Sequence, residues 1–369
     1  MNILYISSKK RWGGVSSWME KTARGLAKRG HRVWILAHPE GRFYRSAASD
    51  LQLLPFKLGM DYNPLSILFV VWQIKTKGID LTVTNIEKEV ICGGIAARLG
   101  RIPNIRRVGR EDDFNTKFKV KLHHRLLVDR CIVPCDWVRD HAVQRAPWLD
   151  AGQFVTIYNG QNDCHFEEDE IRHQRRLWGV TGENLIIGTT AQLSDSKGLD
   201  ALIRVFGRLT DRFPDIRLVI TGEGRLKESL QNLVQGLDLA ARVIFAGFSS
   251  QPLKAAAAYD SAVCNSTFEG FPNTVVEYFA AARPVVAANA GGVAEMVHHE
   301  ENALLIGRGD GDDLYRSLVR LIESPDLRQR LGRNARSTIQ AGFSEDHMLD
   351  RLEALYAAVV RHEAFNPAP

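Results

Sequence analysis

The sequence predicts an α/β protein built from two doubly wound, parallel-sheet domains that face each other across a cleft. Three observations predict it. Strand-length apolar runs alternate with helix-period segments along almost the whole chain, which is the pattern of repeated βα units covered on both faces. The alternation breaks at Tyr158-Asn159-Gly160-Gln161-Asn162-Asp163, which is turn chemistry, and then restarts. The length of 369 residues also exceeds one ordinary domain. The expected division is 1–160, 161–344, and a C-terminal helix over 345–369 that returns to the first domain.

In the first half, Asn2 to Ser7 reads as a buried strand and Ser16 to Arg29 as a helix stopped by Gly30. Arg32 to Ala37 is the next strand. Further strands are expected at 80–84, 104–108, 131–133 and 154–158, with helices at 64–76, 87–99, 116–128 and 136–145. A polar, charged stretch follows to Arg176, with neither a strand nor a helix assigned to it. After it come strands at 185–190, 216–221, 242–246, 261–265, 285–288 and 303–306. Helices are expected at 199–213, 225–236, 273–282, 311–323, 326–340 and 345–362.

Hydrophobic residues make up 45% and charged residues 25%, a balance that excludes disorder and a disulfide miniature. The five cysteines are scattered and odd in number, so they read as structural thiols of a reducing compartment. No apolar run reaches the roughly 18 residues of a membrane span. The N-terminus has no signal-peptide pattern, and the expected location is cytoplasmic. The net charge of +5 hides an asymmetry: residues 1–160 hold 26 Lys/Arg against 14 Asp/Glu, the remainder 22 against 29. Two units with different partners fit that split.

Ligands of such sheets bind beyond the carboxyl ends of the strands, so three loops carry the expected chemistry. Lys9 to Ser16 contains Gly13-Gly14, which lets backbone amides approach an anion at a helix N-terminus, although it is neither a dinucleotide fingerprint nor a P-loop. Its alternative reading is a plain tight turn. In Ala191 to Gly198, Lys197 stands beside a helix start, a good phosphate position; a solvated lysine is the alternative. In Glu269-Gly270-Phe271-Pro272-Asn273-Thr274-Val275-Val276-Glu277, the amides of Asn273, Thr274 and Val275 are expected to be free for an anion. Glu277, one turn in, could accept hydrogen bonds from two sugar hydroxyls, and Glu269 could reach a second sugar.

These motifs, with Arg283-Pro284-Val285-Val286 and Gly291-Gly292 followed by Glu295, resemble the retaining glycosyltransferases of family 4, which have the GT-B fold. The resemblance implies a nucleotide-sugar donor, a UDP-sugar first among them, held mainly by the second domain. Lys197 and the 273–282 helix N-terminus would hold the diphosphate, with Gly13-Gly14 closing on it. Glu277 would bind the ribose and Glu269 the transferred sugar. The implied donor set is Gly13, Gly14, Gln192, Lys197, Glu269, Gly270, Phe271, Pro272, Asn273, Thr274 and Glu277, with Lys197 and Glu269 as catalytic groups. In this family cations and amides replace a metal, so neither metal nor cofactor is expected; Glu111-Asp112-Asp113 and Asp310 to Asp313 are the acidic stretches weighed against that.

Two departures stand out. Gln192 occupies the position where the family usually has Arg, and a neutral amide binds phosphate without neutralising it; Arg11 is a candidate to supply the charge. The acceptor histidine of many members is replaced by Arg106 to Phe114, where Arg110 with Glu111, Asp112 or Asp113 is expected to line the acceptor site. A basic region follows, from Arg101, Arg106, Arg107 and Arg110 to Lys117, Lys119, Lys121, His123, His124 and Arg125. Phe118, Leu122 and Leu126 share one face of its helix. Its readings are an anionic, lipid-linked acceptor, peripheral docking on an anionic membrane, or a basic helix packed by that apolar stripe. Nucleic acid is excluded by the lack of any docking motif. The function expected is transfer of a hexose or heptose to a saccharide or lipid-linked acceptor in lipopolysaccharide, exopolysaccharide or other envelope glycan synthesis. A GT-B epimerase and a catalytically weakened nucleotide-sugar-binding subunit are the alternatives.

Overall fold

The computed structural model describes residues 1–10, 13–41, 51–114, 117–180, 182 and 184–365. These form two units: Met1–Asn159 with the segment that starts at Glu345, and Gly160–Ser344.

The first unit runs β1 (Asn2–Ser7), α1 (Gly14–Lys28), β2 (Arg32–Ala37), β3 (Gln52–Pro55), α2 (Pro64–Lys77), β4 (Leu81–Thr84), α3 (Glu87–Gly100), β5 (Asn104–Arg107), α4 (Phe118–Leu127), β6 (Arg130–Val133), α5 (Asp136–Arg145) and β7 (Phe154–Thr156). All neighbours in its seven-stranded sheet are parallel, in the order β3-β2-β1-β4-β5-β6-β7. The short edge strand β3 is absent from the sequence reading. Side chains of β1 alternate between two cores, as strand geometry dictates: Ile3 and Tyr5 face one, Leu4 and Ile6 the other.

The C-terminal helix, Glu345–Val360, packs in the first of those cores. Met348, Leu349, Leu352, Leu355, Tyr356 and Val359 repeat at helical spacing on its buried face. Arg29 bridges to Asp346, Asp350 and Glu353 of that helix at 2.5–2.9 Å, and the hydroxyls of Tyr5 and Tyr356 meet at 3.3 Å.

The second unit runs α6 (Glu168–Leu177), β8 (Leu185–Thr190), α7 (Leu199–Thr210), β9 (Ile216–Thr221), α8 (Lys227–Gly236), β10 (Val243–Gly247), α9 (Pro252–Ala257), β11 (Ser261–Cys264), α10 (Asn273–Ala280), β12 (Val285–Ala288), β13 (Leu304–Ile306), α11 (Gly311–Glu323) and α12 (Pro325–Gly342); α13 (Glu345–Val360) then belongs to the first unit. Its six-stranded parallel sheet has the order β10-β9-β8-β11-β12-β13. The polar stretch before Arg176 contains an element that its composition does not announce. Residues 168–177 are a helix held by its own charges, with Arg172 reaching Glu168 and Asp169 at 2.8 Å.

Among the described residues no helix is long and apolar enough to cross a membrane. The five cysteines are free thiols. Burial pushes those of Cys92 and Cys131 up to about 12, which leaves them protonated and inert.

Candidate functional site

In the second sheet the strand order reverses between β8 and β11, where an open parallel sheet leaves a crevice at its carboxyl edge. The loops after these two strands are fastened together. Asn265 Nδ2 donates to the Gly198 carbonyl at 2.9 Å, and the Thr267 amide donates to the Ser196 carbonyl at 2.8 Å. Gly198 permits that approach: its φ is +57°, and a Cβ there would stand 2.3 Å from the Asn265 carbonyl oxygen.

This fastening brings Lys197 and Glu269 together from 72 residues apart. Lys197 Nζ lies 2.6 Å from Glu269 Oε1, which also accepts from Ser266 Oγ at 2.7 Å. Both side chains are largely buried, 23% and 12% exposed. With Thr190, Cys264 and Thr274 they line a shallow concavity. Below it, Tyr278 Oη accepts from the Thr190 amide at 2.6 Å, and Tyr259 Oη joins the hydroxyls of Thr190 and Thr221 at 3.1 and 2.8 Å. Burial pushes the Tyr259 phenol up to about 12, so it stays a neutral brace.

The other donor-side residues are placed as follows. Gln192 is exposed, and its side chain makes no hydrogen bond among the described residues. Arg225, which sequence reasoning missed, pairs with Asp195, two residues before Lys197. Gly270 accepts from the Gly292 amide at 3.1 Å. Phe271 is buried and stacks on Phe343 with centroids 6.2 Å apart, so its ring is a packing element. Glu277 is half-buried, on the helix whose Val275, Val276, Tyr278 and Phe279 are buried.

The expected anion site of three free amides is corrected. Pro272 is the cap of α10. The Asn273 amide donates to the Phe271 carbonyl at 2.9 Å, and those of Val275 and Val276 donate to the Pro272 carbonyl at 2.9 and 3.1 Å. Only the Thr274 amide of the expected three has no backbone partner among the described residues. The acidic stretch at 310–313 serves α11: Asp310 caps it through the Asp313 amide at 2.8 Å, and Asp312 pairs with Arg208 at 2.8 Å. Among the described residues no group of three or more His, Cys, Asp or Glu is placed to hold a metal ion.

In the first sheet the order reverses between β1 and β4. A residue the sequence reading missed occupies that point. The buried carboxylate of Glu89 accepts from Ser8 N and Oγ at 2.7 and 2.8 Å and from the amides of Asn85 and Ile86 at 3.1 and 3.2 Å. Gly13 and Gly14 are exposed at the start of α1, whose first turn carries no acid. Gly13 has extended backbone (φ −176°), and a Cβ there would meet nothing within 4 Å. Neither strain nor crowding within the first unit requires the glycine. Arg11 lies outside the described residues.

The acceptor-side residues divide. Arg110 pairs with Asp112 at 2.9 Å, both exposed. Asp113 Oδ2 accepts from the amides of Gly109 and Arg110 at 2.9 and 3.0 Å, so it holds the turn. Glu111 lies in the same short 3₁₀ turn, Glu111–Asp113, and its side chain is outside the described set. The continuous basic region is corrected, because four of its members are buried. Arg106 donates to the carbonyls of Asn85 and Asp113 at 3.2 and 3.0 Å and lies over Phe114. His123 Nδ1 is 2.6 Å from Glu87 Oε1. Arg107, 5% exposed, lies over Trp18 and donates no hydrogen bond among the described residues; burial pulls it down to about 10.

His124 donates through Nε2 to Gln153 Oε1 at 2.9 Å, and burial pulls it down to about 4. Between its unfolded value near 6.5 and 4, the unfolded chain binds the extra proton. Stability is therefore present above about pH 6.5 and lost as pH falls towards 4, by about 3 kcal/mol. Urea titrations are expected to show wild type losing about that much more than His124→Gln over this window. Equal losses in both would remove His124 as the cause.

Comparison with known proteins places these sites in context. Residues 170–338 match the family model described as glycosyl transferases group 1, and residues 12–163 match glycosyltransferase family 4. The lipopolysaccharide core biosynthesis glycosyltransferase LpsD of Rhizobium meliloti is 32% identical over 154 residues, which are 42% of this chain and 44% of that protein. The chain spans about half the length of the curated relatives it matches. Among solved structures, HepE of Anabaena in complex with UDP and glucose superposes with a TM-score of 0.85 at 22% identity, over 96% of this chain and 99% of that one. A glycosyltransferase from Rickettsia africae gives 0.86 at 18% identity, over 98% and 99%.

Proposed function

Because the chain belongs to the group 1, family 4 glycosyltransferases of the GT-B fold, we propose that it transfers a glycosyl unit from a nucleotide sugar to a saccharide or lipid-linked acceptor. The observation that carries this reading is the Lys197–Glu269–Ser266 cluster at the reversal point of the second sheet. Breaking a sugar–phosphate bond builds negative charge on the leaving diphosphate. A fixed ammonium beside it lowers that barrier. Lys197 has three N–H donors, so it can keep Glu269 and still hold a phosphate oxygen. Glu269 then orients the transferred sugar and Glu277 accepts from the ribose hydroxyls. The Thr274 amide supplies one further donor to the phosphates.

The donor proposed is a UDP-sugar carrying a hexose or heptose; the bound UDP and glucose of the similar HepE structure support that class. Transfer is proposed to proceed with retention and without a metal, the positive charge coming from Lys197. Arg225, paired with Asp195 of the loop that carries Gln192 and Lys197, brings a guanidinium there. The open backbone at Gly13-Gly14 is a second place for an anion. On the first unit, the exposed Arg110–Asp112 pair suits an acceptor with hydroxyl and anionic groups. The similarity to LpsD, named for lipopolysaccharide core synthesis, supports an envelope glycan as the product.

The test is UDP release from UDP-hexoses with chelator present, with and without saccharide acceptors, followed by NMR of the product linkage. The expected result is acceptor-dependent UDP release and an anomeric configuration equal to the donor's. Donor consumed without acceptor to give an epimer, or donor bound and never consumed, would each overturn the reading.

A further inference from the structure

The crevice between β8 and β11 carries little positive charge of its own. Lys197 is the one cation among its described lining residues, and Glu269 shares that charge at 2.6 Å. Gln192, on the same loop, is neutral and exposed. A leaving nucleoside diphosphate gathers more negative charge than one shared ammonium offsets, and further fixed cations lower the barrier to its departure.

Arg225 is the cation on the neighbouring loop. It lies between β9 and α8, in a segment laid backbone to backbone against the loop after β8. The Ala191 amide donates to the Thr221 carbonyl at 2.9 Å, and the Leu193 amide to the Glu223 carbonyl at 3.0 Å. The Leu226 amide donates back to the Leu193 carbonyl at 3.2 Å. A Cβ at Gly224 would stand 2.3 Å from the Leu193 carbonyl oxygen, so no side chain separates the segments there. Both neighbours of Gln192 are thus pinned to the segment that carries Arg225.

The guanidinium meets Asp195, the first residue of the 3₁₀ turn that ends at Lys197. Both side chains of this pair are 68% exposed. An exposed ion pair adds little to stability, so its effect is to fix where the cation stands. A phosphate offers a guanidinium the same two-oxygen geometry as a carboxylate, and a diphosphate offers it with more charge. The guanidinium can therefore pass from one to the other.

We propose that Arg225 is a second diphosphate-binding residue, held over the Lys197 turn by Asp195 until the donor's phosphates take the guanidinium from it. The proposal rests on the nucleotide-sugar reading of the same crevice and supplies a charge that Gln192 does not. UDP is titrated calorimetrically, without added metal, into wild type, Lys197→Ala, Asp195→Asn, Arg225→Ala and the double variant Asp195→Asn with Arg225→Ala. Asp195→Asn is expected to bind roughly threefold more tightly, because the competing carboxylate is gone. Arg225→Ala is expected to bind roughly tenfold more weakly. The substitutions at 195 and 225 should leave the melting temperature unchanged.

The double variant separates contact from masking. It is expected to bind roughly tenfold more weakly than Asp195→Asn. Equal affinity in those two would mean that Arg225 only masks the Asp195 charge, and would overturn the proposal. Normal binding by Arg225→Ala beside weak binding by Lys197→Ala would overturn it too, and leave the nucleotide-sugar reading standing. No UDP binding by wild type would overturn both.

Discussion

Lys197→Ala is expected to lower kcat by roughly 10²-fold or more while the protein stays folded. The reasoning is electrostatic. Lys197 is the cation placed at the crevice between β8 and β11, and its ammonium is the group able to neutralise a leaving diphosphate there. Removing it also leaves Glu269, 12% exposed, without its cation. That secondary cost can be separated, because Lys197→Ala combined with Glu269→Gln removes the stranded charge. If the ammonium acts on the diphosphate, the double variant regains stability while its affinity for UDP, which has no sugar for Glu269 to hold, stays as weak as in Lys197→Ala. Glu277→Ala is expected to act differently, weakening donor binding by roughly tenfold through the lost charged hydrogen bond. Steady-state kinetics across donor concentration distinguish the two, since Lys197→Ala lowers kcat as well as raising KM and Glu277→Ala raises KM alone.

Gly291→Ala is expected to destabilise the second unit by about 3 kcal/mol and to abolish donor use. Gly291 has φ +60°, and a Cβ there would stand 1.5 Å from the carbonyl oxygen of Glu269. Backbone sits on the other side of that contact, so nothing can swing away. The 291–295 turn or the segment at Glu269 must move, and Glu269 is half of the pair with Lys197. Chemical denaturation gives the stability loss and calorimetry the loss of UDP binding. A variant of normal stability that binds UDP normally would show that the close approach does not hold the site.

The sequence exposed the fold where side chains carry the periodicity. Asp136–Arg145, Ile216–Thr221, Val285–Ala288 and Gly311–Glu323 lie where their patterns predict them. The α6 helix was illegible because Glu168–Leu177 is almost wholly polar and buries nothing; charge pairs hold it, and hydropathy is blind to those. On α4 the spacing showed which residues share a face and not which face turns inward. That was decided by Glu87 and Gln153, distant residues that satisfy the two histidines. Lys197 and Glu269 could be singled out by their place after strands, yet their contact depends on the strand order, which the sequence does not display. The amides of Asn273 and Val275 could not be judged either, since a carbonyl two or three residues back takes each of them only in the folded turn.

In the proposed reaction the Lys197–Glu269 crevice of the second unit holds the diphosphate of a nucleotide sugar. Calorimetric titration of UDP, without added metal, into wild type and Lys197→Ala tests it most directly. One saturable site is expected in wild type and an affinity at least tenfold weaker in the variant, the cost of losing one charged hydrogen bond. Equal UDP affinity in the two proteins would contradict it, as would no UDP binding by either.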